Sequence, residues 1–201
     1  RRASSLPNFG PLLLRLHRPF AGSVETVTIS RMASGACYAS VVVTTDEELP
    51  APGTVEEVST VGLLRGQEAL EASDGRSWPH LRSLDKLLER LRVLDRRLCK
   101  RRAANPDYET SQRYHKLRRQ RARLHERIAA MRRDHQHKTT ATVVASAGTI
   151  GVDDAPVLER MRSPGGRDYA DTALYELSRQ LEYKCRHQGV NFVKVPGATP
   201  E

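Results

Sequence analysis

The stretch from 79 to 138 constrains this chain more than any other. It holds 19 Lys+Arg against 7 Asp+Glu, a net of +12. Through its first half Leu84, Leu87, Leu91, Leu94 and Leu98 recur at steps of 3, 4, 3 and 4. That spacing puts the leucines on one stripe of a helix and leaves the charges outside it. The second half repeats the pattern with Tyr114, Leu117, Leu124, Ile128 and Met131. Between the halves lies "AANPDYE", where Asn105-Pro106 stops a helix. Two helices with narrow apolar stripes and a short break between them predict an antiparallel hairpin with basic outer faces. "HQHK", 135–138, is read as its end.

The whole chain of 201 residues carries 33 Lys+Arg and 24 Asp+Glu, net +9. The part outside the hairpin therefore has 14 basic and 17 acidic residues, and all the excess positive charge lies in the hairpin. A charge run is often only a solvated face, but +12 in one hairpin is lopsided enough to point to a polyanion, nucleic acid first.

On either side of the hairpin the pattern changes. Residues 11–45 alternate with period two, in "PLLLRLHRPF", "SVETVTISR" and "ACYASVVVTT", with a turn at "ASG". They predict an antiparallel meander. "TTDEELPAPG" closes it as a boundary. After the hairpin, "ATVVASAGTIGVDD" reads as a strand that delivers Asp153 and Asp154 at its end. "RSPGGRD" follows as a loop, then a helix with Leu174, Leu177, Leu181 and Cys185 on one face. Asp171 is placed as its N-cap, Gly189 as its C′ residue, and "VNFVKVPG" as a final strand. Strand, helix and strand in that order predict a parallel crossover. The fold class is α/β (α+β).

Cys37, Cys99 and Cys185 make no CxxC or CxxH pattern, so neither a disulfide framework nor a zinc module is expected. His115, His125, His135 and His137 lack acids or cysteines at ligand spacing and read as surface or phosphate-proximal groups. Trp78 reads as a side chain packing a loop on the core, with base stacking as the other reading. No apolar run approaches the roughly 20 residues of a membrane helix. The start, "RRASSLPNFG", has neither a signal h-region nor an initiator Met and reads as a chain entered mid-protein, with the cytoplasm as its expected compartment.

Four segments in order carry a resemblance: "LRLHRPFAGSVETVTISRMASGACYASVVV", "LDKLLERLRVLDRRLCKR", "RARLHERIAAMRRDHQHKTTATVVASAGTIGVDD" and "YELSRQLEYKCRHQGVNFVKV". Together they resemble the C-terminal half of the TnpB/OrfB proteins of IS200/IS605-type transposons, the compact, RNA-guided relatives of the Cas12 nucleases. The resemblance implies that residues 1–52 are the end of a wedge (oligonucleotide-binding) barrel. It implies that 53–201 form an RNase H-like RuvC domain with the hairpin 79–138 inserted, stopping before a zinc ribbon. It implies guide RNA and target DNA as partners.

Nucleases of that family hold two metal ions with three acids. In "VSTVGLLRGQEALEASDGR" the family's Gly-Leu and Ser-Asp-Gly positions match Gly62-Leu63 and Ser73-Asp74-Gly75, and its first acid falls on Thr60. Glu57 lies three residues upstream, on the opposite strand face. The second acid, a Glu in the family, falls on Asp153; the third lies past Glu201. From the residues alone, Asp153-Asp154 before Pro156 reads as a strand-end turn; with the resemblance it reads as the remains of a site. The expected function is a nucleic-acid-binding, nuclease-inactive RuvC-like region with no cofactor. The alternatives are a metal-dependent endonuclease using Mg²⁺, whose remaining acids lie outside this chain, and a decayed transposase reading frame. The candidate nucleic-acid contacts are Arg15, His17, Arg31, Arg96, Arg97, Lys100, Arg101, Arg102, Arg118, Arg119, Arg121, Arg123 and Lys138.

Overall fold

The computed structural model describes residues 2–6, 10–14, 20–46, 48–53, 59–65, 69–79, 81, 84–153 and 174–195. The leucine repeat forms helix α1, Asp85–Ala104, and the second basic half forms helix α2, Gln112–Val144. Between them Asn105 accepts the Asp107 N–H at 3.0 Å on its side chain, and a single 3-10 turn, Tyr108–Thr110, leads into α2. Asp171 and the other residues of 154–173 lie outside the described residues.

Helix α2 is longer than its sequence suggests. "ATVV" looks like the start of a strand, yet the helix continues through Val144. The reason is the burial period: Gln136, Thr139, Thr140, Val143, Val144 and Ala147 are all buried. That spacing is one helical stripe against a core, and tertiary packing overrides the strand preference of Thr and Val. "HQHK" lies inside the helix, and the strand after it begins only at Thr149.

Strands β1, Arg2–Leu6, and β2, Gly10–Leu14, pair antiparallel, as do β3, Ser23–Arg31, and β4, Cys37–Thr44. The β3–β4 turn needs Gly35 at φ 89°, with its N–H on the Met32 carbonyl at 2.9 Å. β1 was not legible as a strand. Of the wedge-barrel expectation, the structure bears out the antiparallel strands. Among the described residues these strands form two separate two-stranded sheets and no barrel. β3–β4 leaves Val24, Ile29, Tyr38 and Val42 exposed, so neither of its faces is closed into a core.

A five-stranded sheet contains β5, Thr60–Arg65; β6, Ala69–Ala72; β7, Ser77–Pro79; β8, Thr149–Asp153; and β9, Asn191–Val195. Its order is β7-β6-β5-β8-β9. The first three strands form an antiparallel meander, and β8 lies parallel to both β5 and β9. Helix α3, Leu174–Gln188, makes the crossover from β8 to β9. The fold is thus mixed α/β, with the expected parallel crossover.

One face of the sheet is the core. Val61, Leu63, Leu70, Ile150 and Val152 meet Val143, Val144 and Ala147 from α2 and its end, and Leu177, Leu181 and Cys185 from α3. Ile150, Leu181 and Cys185 have no exposed surface. Trp78 is half-buried against this cluster with the Arg76 guanidinium 5.7 Å from its ring centre, which makes it a packing residue. Gly189 follows α3 at φ 67°, and the Val190 N–H reaches back to the Cys185 carbonyl at 2.9 Å, the bond of a Schellman end.

A polar seam joins α2 to α3. The Lys184 ammonium donates to the His137 carbonyl (2.6 Å) and to the Thr140 hydroxyl (2.7 Å). Thr140 donates to the Gln136 carbonyl at 2.7 Å, with the Gln180 side-chain oxygen 3.2 Å away, and Gln180 donates to Glu176 at 3.0 Å. Burial lowers the Lys184 pKa, and burial together with the Lys184 charge lowers that of His137. Arg179, then Gln180, hold the Glu176 carboxyl down from 4.5 to about 2. A carboxyl depressed on folding stabilises the protein above its unfolded pKa, and that contribution is lost as pH falls from 4.5 through about 2. The side chain is 31% exposed, so solvent screening reduces the effect to about 1 kcal/mol. Glu176→Gln is expected to lower stability by about that much at pH 7, and urea melts should show the gap closing across that acid window. A gap that persists unchanged into the acid range would exclude the ion pair as its source.

The chain divides into two compact units. One comprises Arg1–Glu48 and Arg97–Arg123, the other Leu49–Arg96 and Leu124–Glu201.

Candidate functional site

The second unit holds the acid positions. On β5, Val61 and Leu63 are buried while Thr60, Gly62 and Leu64 are exposed on the opposite face. On β8, Ile150 and Val152 point into the core, and Gly151 and Asp153 lie on the same face as Thr60. Thr60 pairs with Thr149, four residues before Asp153. Along a strand that is about 13 Å. The two positions the resemblance assigns to acids share a face but are not brought together. The β5 residue one step past the Leu63–Val152 pair, and so level with Asp153, is Leu64, which in turn pairs with Glu71 on β6. Glu71 is exposed and lies about two strand spacings, roughly 10 Å, from Asp153. It is an acid on this face that the sequence reading missed, since the strand register could not be read from spacing.

Two metal ions about 4 Å apart need several carboxylates converging on one point. The described residues contain no group of three His, Cys, Asp or Glu able to hold a metal. Their donor set therefore does not fit a two-metal centre: Asp153 and Glu71 are spread across the sheet, and Thr60 offers a hydroxyl. Asp154 and Glu57 lie outside the described residues. The matching "SDG" is a turn. The Arg76 N–H bonds the Asp74 carboxylate at 3.1 Å, Gly75 takes φ 86°, and Ser73 Oγ accepts the Gly62 N–H at 3.0 Å. Its residues fix β6 to β7 and β5 rather than offering ligands.

The first unit holds the hairpin tip, where the cations gather. A cleft of about 670 Å³ is lined by Arg97, Lys100, Arg101 and Ala104 of α1 and by Arg113, Lys116, Leu117 and Gln120 of α2. On the adjacent face of α2, Gln112, His115, Lys116, Arg119, Gln120 and Arg123 line a second hollow of about 380 Å³, which shares Lys116 and Gln120 with the cleft. The sequence candidates Arg97, Lys100, Arg101, Arg119 and Arg123 thus face these hollows. Arg113 and Lys116 were not among the candidates, although their spacing on the α2 stripe matches that of Arg97 and Lys100 on α1.

Other candidates have different surroundings. Arg102 stacks on Tyr108 at 5.3 Å, and Tyr114 and Tyr108 raise its pKa. Tyr108 and Tyr114 pack edge to face at 4.9 Å, so Arg102 closes an aromatic cluster at the turn. Arg96 already pairs with Glu89 at 3.1 Å and Lys138 with Asp134 at 2.7 Å. Arg31 and Arg118 are exposed, Arg121 is half-buried, and Arg15 and His17 lie outside the described residues. The histidines have local partners: His115 bonds the Glu109 carbonyl at 2.6 Å, His135 the Pro79 carbonyl at 3.0 Å, and His137 belongs to the polar seam. His125 is exposed.

Among the described residues no helix is long and apolar enough to cross a membrane. Residues 41–162 match the family OrfB_IS605, described as "Probable transposase". The chain is 30% identical over 210 residues to the Escherichia coli (strain K12) protein named "Putative RNA-guided DNA endonuclease InsQ", covering 96% of this chain and 50% of that protein. It is 29% identical over 188 residues to a Streptomyces pristinaespiralis protein named "Putative RNA-guided DNA endonuclease", covering 92% of this chain and 44% of the relative. The chain spans half or less of the length of these curated relatives. With the family matched across the meander β5–β7, the hairpin and β8, this chain belongs to the OrfB family of IS605-type transposons.

Proposed function

We propose that this chain is the nucleic-acid-binding, RuvC-like region of an RNA-guided DNA endonuclease, with guide RNA and target DNA as its partners. The observation that carries the reading is the cation-lined hairpin spliced between the third and fourth strands of a five-stranded mixed sheet. That insertion supports the RNase H-like assignment. The relatives' names supply the reaction. Asp153 is the acid that β8 contributes to the metal-binding set, and the remaining acids come from sequence outside this chain. Residues 1–52 act as part of a wedge-like domain and 53–201 as the RuvC-like domain. The protein reads the backbone of the guide–target duplex while base pairing reads sequence.

A second, nuclease-inactive reading has one observation in its favour. Thr60 stands where the resemblance expects an acid, about 13 Å along the sheet from Asp153. Labelled single- and double-stranded DNA with Mg²⁺ or Mn²⁺ separates the two. The 201-residue chain alone is expected to leave both intact. Fused to the sequence that the relatives carry beyond this match and loaded with guide, it is expected to cut target DNA and to lose at least about a hundredfold in rate on Asp153→Ala. Uncut target with the fused protein bound to it would select the inactive reading.

A further inference from the structure

Facing stripes of a helical hairpin are where apolar residues belong. Near the tip of this one they are not apolar. α1 presents Arg97, Lys100, Arg101 and Ala104 to the cleft, spaced i, i+3, i+4, i+7. α2 presents Arg113, Lys116, Leu117 and Gln120 with the same spacing. Each set is one helical stripe. Five cations therefore face a common cleft, and no carboxylate lines it. Like charges so placed repel, and the cost rises as water is excluded.

The helix end adds to the field. The first turn of α2 has no acidic residue to complement its dipole, and it carries Arg113 instead. The partial positive charge of that N-terminus points the same way as the side chains. The neighbouring cation Arg102 is committed to Tyr108 and Tyr114, and Arg96 to Glu89, whereas the cleft cations have one another. All five are exposed, so water and salt screen their repulsion in the free protein, and a polyanion in the cleft would meet all of them at once.

We propose that this cleft seats the phosphodiester backbone of a single nucleic-acid strand, with the five cations on successive phosphates and Ala104, Leu117 and Gln120 as its floor. The proposal rests on the nucleic-acid-binding reading above and narrows it. The cleft, about 670 Å³ and lined by one stripe of each helix, accommodates one backbone, whereas the two backbones of a duplex stand about 12 Å apart across its major groove. Duplex contacts fall to the outer cations Arg119 and Arg123, in the hollow on the adjacent face of α2.

The test uses the whole chain and three probes of one sequence: single-stranded RNA, single-stranded DNA and duplex DNA. Titrations across a salt series compare the parent, Lys100→Gln/Arg113→Gln, which line the cleft and not the second hollow, and the charge-matched pair Arg90→Gln/Arg127→Gln, both exposed and outside either hollow. The cleft pair is expected to weaken single-strand binding by about tenfold or more and to flatten its salt slope by about 1.4 units, at −0.7 per contact. It is expected to leave duplex binding nearly unchanged. Without nucleic acid, its melting temperature at low salt should match or exceed the parent's, because repulsion has been removed. Whichever single strand binds tighter names the natural source. Equal losses for both pairs would mean diffuse attraction and overturn the cleft. So would a parent that prefers duplex, or a cleft pair that binds single strands like the parent. A parent that binds none of the three probes would instead overturn the broader nucleic-acid reading.

Discussion

Leu181→Ala is expected to cost about 2–5 kcal/mol. The side chain is fully buried where α3 meets Ile150 and Val152 of β8, and truncation leaves a cavity that the flanking strands cannot collapse into. Domains of this size have about 5–15 kcal/mol in all. The melting temperature should therefore fall by roughly 5–15 °C. Leu91→Ala is the contrast. The leucine repeat places Leu91 mid-seam, but it is only half-buried, whereas Leu94 on the same stripe is 8% exposed. Leu91→Ala should cost about 1 kcal/mol, and Leu94→Ala clearly more. Thermal melts of the three variants give the ranking. An unchanged melting temperature for Leu181→Ala would mean that α3 is not seated on the sheet.

Raising salt from 50 to 200 mM is expected to weaken polynucleotide binding about a hundredfold. Five cleft contacts at −0.7 each give a slope near −3.5 on a single strand, and a fourfold rise in salt then costs about two decades. Arg101 and Arg102, adjacent and equally charged, should now behave differently. Arg101→Ala removes a cleft cation and should bring the slope to about −2.8. Arg102→Ala removes the stack on Tyr108 and should act on the stability of the turn, by about 0.5–1 kcal/mol, with less effect on the slope. If both flatten the slope equally, the aromatic cluster does not hold Arg102 away from the ligand. A slope near zero for the parent would remove the electrostatic basis of the hairpin reading.

Periodicity made the helices legible because a 3.6-residue repeat of leucine among arginines has one physical solution. The same logic read Leu177, Leu181 and Cys185 correctly onto the core face of α3. It failed at "ATVV", where local preference points to a strand and only the distant sheet supplies the partner that keeps α2 helical. Of the meander β5–β7 only the first strand was legible, and that through the resemblance; β6 and β7, with 4 and 3 residues, were not, and Trp78 was read onto a loop. Register was the largest gap. Nothing in "VSTVGLL" says that Thr60 pairs with Thr149 rather than lying opposite Asp153, and the separation of the two acid positions follows from that pairing. Charge was legible as a total but not as an arrangement. Arg96, Arg102 and Lys138 look equivalent to Arg97 and Lys100 until their partners are seen.

The three thiols differ in a way that experiment can use. Cys37 and Cys99 are exposed, while Cys185 lies fully buried on the core face of α3, where burial pushes its pKa up to about 11. A thiol alkylates only as thiolate and only when reached. In the folded chain Cys37 and Cys99 should consume reagent at once and Cys185 should wait for the sheet and α3 to part. The slow phase of a labelling time course therefore counts openings of that core under native conditions. With Cys37 and Cys99 replaced by Ser, the protein reports its own opening rate without a dye or an added tag.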